Sequence, residues 1–186
     1  MTELLYQTDS YLKEFSATIS DVDADQHGVY LDRTAFYPGG GGQPHDTGWL
    51  TIGDQRFTVT KVVEGNLHLL AEDSLPAVGQ MAQGVVDWER RYKLMRTHTA
   101  MHILCGVVWR DYGASVTGGN MEPLEGRMDF EFERLQKELV SEIEERINIE
   151  VQAAHDVRVK ILPRDEAFQI PDLIRTKINL LPEGIA

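Results

Sequence analysis

Apolar and polar residues alternate in short runs through the first eighty or so positions, at Phe15–Ile19, Gly28–Leu31, Trp49–Ile52, Arg56–Val63 and Leu67–Leu69. A period of two sends alternate side chains to opposite faces, so each run is expected to be a half-buried strand. Asp54 and the Glu64-Gly65-Asn66 step carry the turn chemistry of hairpins. Leu75-Pro76-Ala77-Val78-Gly79 reads as an extended connector, followed by a strand at Met81–Val86 and a boundary near Asp87. Several short strands at this spacing suggest a small barrel or sandwich.

From Asp87 the period lengthens to that of a helix. Asp87 is a plausible N-cap, and Leu94, His98, Met101, His102, Cys105 and Val108-Trp109 build one face of a helix from Glu89 to about Tyr112. Two strands are expected next, Ala114–Thr117 and Arg127–Phe132, joined by a turn region at Gly118-Gly119-Asn120. A second long helix should run from Arg134 to Ala154, burying Leu135, Leu139, Ile143, Ile147 and Val151, with Glu138, Glu142, Glu144 and Glu145 facing water. Val157–Leu162 reads as a strand, and Ile178–Leu181 as another before Pro182-Glu183-Gly184. The expectation is an α+β chain: a β domain over residues 1–86, taken as a small barrel, then an α/β layer over residues 87–186.

Composition narrows the class without naming it. The 186 residues are 42% hydrophobic and 26% charged, as in ordinary globular domains. No apolar run reaches the length of a membrane span, and Met1-Thr2-Glu3 does not begin a signal peptide, so no membrane partner is expected. A single cysteine, Cys105, excludes an internal disulfide and fits a reducing compartment; the cytoplasm is the expected location.

A net charge of −12 argues against indiscriminate nucleic-acid binding, and no DNA partner is expected. The charge is uneven: residues 1–88 hold 4 basic and 13 acidic side chains, the remainder 14 and 17. Arg90, Arg91, Lys93 and Arg96 crowd into seven positions. Such a cluster is either a solvated helix flank or a local site for phosphates.

Two motifs bear chemistry. His98 and His102 lie four residues apart, one above the other on a helix, so both imidazoles could reach one metal ion. The same spacing also fits two exposed or hydrogen-bonded histidines. Thr99 stands where a zinc protease motif needs its glutamate, so that chemistry is excluded. Cys105 lies two turns from His98, about 10.5 Å along the axis, too far to join both histidines on one ion and better suited to a small buried role. His27, His45, His68 and His155 have no ligand spacing.

The second motif is Gly39, Gly40, Gly41 and Gly42, flanked by Thr34 and Gln43. It is not a phosphate-binding P-loop, since no Lys-Ser/Thr follows. It is a tight turn, or else a stretch whose backbone is presented to a ligand.

Taken together, RTAFYPGGGGQPHDTG (Arg33–Gly48), RTHTAMHIL (Arg96–Leu104), GGNM (Gly118–Met121) and RMDFEF (Arg127–Phe132) resemble the editing domain of alanyl-tRNA synthetases. They look still more like its free-standing relatives, the AlaX trans-editing proteins. The resemblance implies a small β-barrel followed by a two-layer α/β sandwich. It also implies a zinc-dependent deacylase that removes serine, and sometimes glycine, from mischarged alanine tRNA. Carried over by position, His98 and His102 match zinc ligands and Thr34 matches the threonine that contacts the amino-acid side chain. Gln43 matches a further polar contact, and Gly39 to Gly42 match a wall of the pocket. Arg90, Arg91, Lys93 and Arg96 are the expected contacts to acceptor-end phosphates.

The family's remaining zinc ligands follow a Pro-Glu-Gly-Ile stretch, in a Cys-Gly-Gly-Thr-His-like segment. This chain reaches Ala186 just past Leu181-Pro182-Glu183-Gly184-Ile185, which suggests either a fragment or an incomplete site. The alternative function is therefore an inactive tRNA-binding or accessory module, or a piece of a longer synthetase-like protein.

Overall fold

The computed structural model describes residues 2–132, 137–170 and 173. In chain order its elements are β1 (Glu3–Leu4), β2 (Glu14–Asp23), β3 (Gly28–Leu31), β4 (Arg33–Thr34), β5 (Gly48–Ile52), β6 (Gln55–Val63), β7 (Leu67–Leu70) and β8 (Met81–Val86), then α1 (Trp88–Tyr112), β9 (Val116–Glu122), β10 (Glu125–Phe130), α2 (Lys137–Ala153) and the single-turn α3 (Arg164–Ala167). The chain divides into two compact units, one of Met1–Arg96 with Met121–Glu125, the other of Thr97–Asn120 with Gly126–Ala186.

In the first unit, six strands close into an antiparallel barrel in the order β2-β3-β7-β6-β5-β8. Closure removes the unpaired edges that an open sheet would leave. The alternation seen in the sequence sets which side chains fill it: Phe15, Ala17 and Ile19 of β2 point inward with Leu50 and Ile52 of β5 and Phe57 and Val59 of β6. Gly53-Asp54 turns β5 into β6, and Glu64–Asn66 turns β6 into β7, both where the turn residues predicted. The two-residue strands β1 and β4 pair in parallel beside the barrel.

Asp87 caps α1 as expected, its carboxylate accepting the Arg90 amide at 3.1 Å. No helix of the described residues is long and apolar enough to cross a membrane.

The second unit holds the rest of α1, most of the β9–β10 hairpin, α2 and α3. Gly118-Gly119-Asn120 is not the turn; it lies inside β9, and the chain reverses at Pro123-Leu124, where Leu124 takes φ 66°. The glycines serve close packing instead. A Cβ on Gly119 would lie 2.8 Å from the Arg127 carbonyl, and one on Gly126 3.0 Å from the Met101 sulfur. Helix α1 thus lies against a hairpin stripped of side chains on that face.

The apolar stripe of α2 is only partly covered: Leu139, Ile143 and Ile147 are half-buried and Val151 is exposed, while Arg134 and Leu135 lie outside the described residues. Glu142, Glu144 and Glu145 face water as predicted, while the side chain of Glu138 lies outside those described. Arg110 links Asp111 (2.7 Å) to Glu150, and Arg146 links Asp111 (3.1 Å) to Glu142 (2.7 Å), tying the end of α1 to α2. Val157–Leu162 is not a strand. Val157, Val159 and Ile161 alternate but stay exposed, and among the described residues no neighbouring strand takes up their backbone groups. The expected strand at Ile178–Leu181 lies outside the described residues.

Candidate functional site

The loop between β4 and β5, residues 35–47, carries the glycine run. Gly40 and Gln43 exchange both backbone hydrogen bonds at 3.0 Å, so Gly41 and Gly42 form the corner of a two-residue turn. Both have positive φ, 59° and 85°, as does each glycine before them. That backbone is strained for any residue with a Cβ, so the turn itself demands the glycines. The tip is exposed, with the Tyr37 hydroxyl donating to the Gly40 carbonyl at 3.1 Å and the Met121 amide to the Gly42 carbonyl at 3.1 Å.

The base of the loop is locked from below. Arg91, 3% exposed, donates from Nε to both carboxylate oxygens of Asp46, 1% exposed, at 2.9 and 3.0 Å. Its Nη2 also reaches Asp46 and donates to the Ala35 carbonyl at 2.6 Å, while Nη1 donates to the Ser10 carbonyl at 3.0 Å. Asp46 accepts the Tyr37 amide as well, at 2.7 Å. One guanidinium and one carboxylate thereby hold both limbs of the loop together. This corrects the expectation that Arg91 meets phosphates: it is buried and its donors are spent inside the protein.

Its neighbours divide differently. Arg90 is half-buried and donates to the His45 carbonyl at 3.3 Å. Lys93 pairs with Glu89 at 2.6 Å on the surface, and Arg96 is exposed.

Thr34 is fully buried beside this base. Its hydroxyl lies 2.8 Å from His68 Nε2 and accepts the Phe36 amide at 3.1 Å. His68 Nδ1 is 3.2 Å from the Val29 carbonyl, which can only accept, so Nδ1 carries the ring proton. Nε2 then accepts the Thr34 proton. Burial lowers the His68 pKa to about 4, which keeps the ring neutral. His68 is the residue that sequence reasoning passed over, because a histidine on a strand, 34 positions from its partner, has no spacing to betray it. Gln43 is half-buried at the loop's far end.

His98 and His102 are both exposed on α1, with ring centroids 4.8 Å apart and planes within 11°. The helix therefore does bring the two imidazoles together. Partial burial, then the positive charge of His102, lower the His98 pKa, favouring the neutral ring that metals require. The pair fits two nitrogen positions of a zinc shell. Among the described residues no cluster of three or more His, Cys, Asp or Glu surrounds it, and Cys105, half-buried, does not complete one.

Comparison with known proteins bears on the same residues. A family model of class II (A) tRNA synthetases matches residues 7–90. The chain is 38% identical over 182 residues to an alanyl-tRNA editing protein AlaX-M of Saccharolobus solfataricus, covering 94% of this chain and 75% of that protein. It is 38% identical over 178 residues to the AlaX-M of Methanosarcina mazei, covering 90% of this chain and 70% of that one. It also matches an alanine–tRNA ligase of Pyrococcus furiosus, 40% identical over 172 residues, covering 89% of this chain but 19% of the ligase.

Proposed function

The chain belongs to the alanyl-tRNA editing family of AlaX-type proteins, and from that premise we propose that it hydrolyses mischarged alanine tRNA in trans, with zinc as cofactor and serine as the principal amino acid removed. The observation that carries the reading is the match along 94% of this chain to a protein named for alanyl-tRNA editing. The clamped glycine loop and the paired histidines support it.

The reaction is hydrolysis of an ester. Water oxygen bonds to the aminoacyl carbonyl carbon, the bond to the ribose oxygen breaks, and a water proton ends on that ribose oxygen. Such an ester is already activated relative to a peptide bond, so a carboxylate base beside the metal is not demanded. His98 and His102 would hold the zinc, with further ligation still to be supplied, since a catalytic zinc takes three protein ligands and leaves one position open. Bound there, zinc supplies a Lewis acid.

Selectivity must come from hydrogen bonding, because a pocket that only excludes bulk would pass alanine before serine. A site built to bond a hydroxyl can discriminate by roughly 10⁴–10⁵ against its absence. Thr34 gives its proton to His68, so toward a substrate it can only accept, which suits a donating serine hydroxyl and offers nothing to a methyl group. Its burial means that the serine side chain must pass below the surface to reach it. Gln43 and the loop amides would hold the ester end. Arg90 and Arg96 are the proposed contacts to acceptor-end phosphates, Lys93 being paired with Glu89.

The test is deacylation of Ser-tRNA bearing the alanine acceptor. Zinc-dependent release of serine supports the reading, whereas inertness of the zinc-loaded protein overturns it.

A further inference from the structure

Three aromatic side chains cluster where the barrel unit meets the start of α1. Trp88 and Tyr92 stack at 5.7 Å with planes 29° apart, and Tyr11 lies 5.7 Å from Trp88 with planes 49° apart. Tyr11 remains 61% exposed and Tyr92 44%; with Phe168 they are the most exposed aromatics among the described residues. Leaving large apolar rings in water while they stack on each other is unusual for a purely structural surface.

The cluster is also cationic. Lys13 Nζ lies 4.5 Å from the Trp88 ring centroid. Trp88, Tyr92 and Arg96 stand at i, i+4 and i+8, so one row of α1 presents two rings and then an exposed guanidinium. Eight residues span about 12 Å at about 1.5 Å per residue. That length matches roughly three stacked nucleotides at about 3.4 Å each. Glu89 already answers Lys93, so beside these rings phosphate contact falls to Lys13 and Arg96.

From this we infer that Tyr11, Trp88, Tyr92, Lys13 and Arg96 form a stacking ledge for unpaired nucleotides. On the editing reading, from which the identity of the RNA is taken, these are the single-stranded 3′ nucleotides of the acceptor arm. Rings receive the faces of bases without regard to sequence, and the cations follow the phosphates. The ledge supplies affinity on a protein whose net charge of −12 would otherwise repel RNA.

The experiment measures binding of a short labelled single-stranded RNA by anisotropy, and in parallel the KM and kcat of Ser-tRNA deacylation. Tyr92→Ala should weaken RNA binding roughly tenfold, and Tyr92→Phe should restore it, since stacking needs only the ring. Arg96→Ala should flatten the salt dependence by about one phosphate contact. In deacylation the loss should fall on KM rather than kcat.

If the protein shows no affinity for the RNA, or the alanine variants bind it as the parent does, the ledge is overturned. A change in self-association with RNA affinity intact would assign the surface to a protein contact and overturn it equally. Ring-dependent RNA binding by a protein that hydrolyses no aminoacyl ester would keep the ledge and sink the editing reading. Deacylation with normal KM in Tyr92→Ala would do the reverse.

Discussion

Replacing Arg91 by alanine removes one side chain and leaves three partners stranded. Asp46 loses its counter-charge at 1% exposure, and the carbonyls of Ala35 and Ser10 lose their donors. Breaking a buried ion pair from one side costs about 3–5 kcal/mol, because the remaining charge stays desolvated. An exposed arginine in a helix flank would cost within about 0.5 kcal/mol. The two values are far enough apart to decide between a clamp and a surface cation. At about 2–4 °C per kcal/mol for a chain of this size, the melting point of Arg91→Ala should fall by roughly 10 °C. Urea unfolding followed by tryptophan fluorescence gives the free energy directly. Asp46→Ala should lose a comparable amount. The double variant should lose clearly less than the two singles together, since neither orphan charge remains. Arg91→Lys should fail to rescue, because a lysine cannot reach three separate acceptors with a planar fork. If Arg91→Ala unfolds within about 1 kcal/mol of the parent, or the two losses simply add, the clamp reasoning is wrong.

Further outcomes follow from the same residues. Thr34→Val should slow serine release and narrow the Ser/Ala ratio, while Thr34→Ser, which keeps the hydroxyl, should retain both; an unchanged ratio in Thr34→Val removes the residue from selectivity. His68 titrates near 6.5 when unfolded and at about 4 when folded, so its contribution is complete above pH 6.5 and is lost as pH falls from 6.5 toward 4. That loss reaches about 3 kcal/mol, and the urea midpoint should fall less steeply with acid in His68→Gln than in the parent; parallel pH profiles would contradict it. His102→Asn should weaken zinc binding at least tenfold in calorimetric titration, in line with loss of one imidazole donor, and an unaltered isotherm would place the metal elsewhere.

The barrel was readable because alternation over four or more residues is a local signal, and the β5–β6 and β6–β7 turns carry their own chemistry. Strands β1 and β4 were not readable, since two residues are too few to alternate. The β9–β10 hairpin misled in an instructive way. Gly-Gly-Asn is good turn composition, yet Gly119 admits the Arg127 carbonyl of the paired strand and Gly126 admits Met101 of α1, demands that appear only once the hairpin is closed and the helix packed. Leu124, with φ 66°, forms the real corner and gives no hint of it. In Val157–Leu162 the alternation was present but a partner strand was not. The histidine pair followed directly from helical spacing. The roles of Arg91 and His68 did not, because each depends on a partner (Asp46 and Thr34) that only the closed barrel brings near.

The fate of two substrates under one condition is the most direct test of zinc-dependent editing. Zinc-loaded protein should release serine from alanine-acceptor Ser-tRNA, leave Ala-tRNA intact, and lose the serine activity when a chelator strips the metal. Equal hydrolysis of both substrates, or hydrolysis of neither by the zinc-loaded protein, would contradict it.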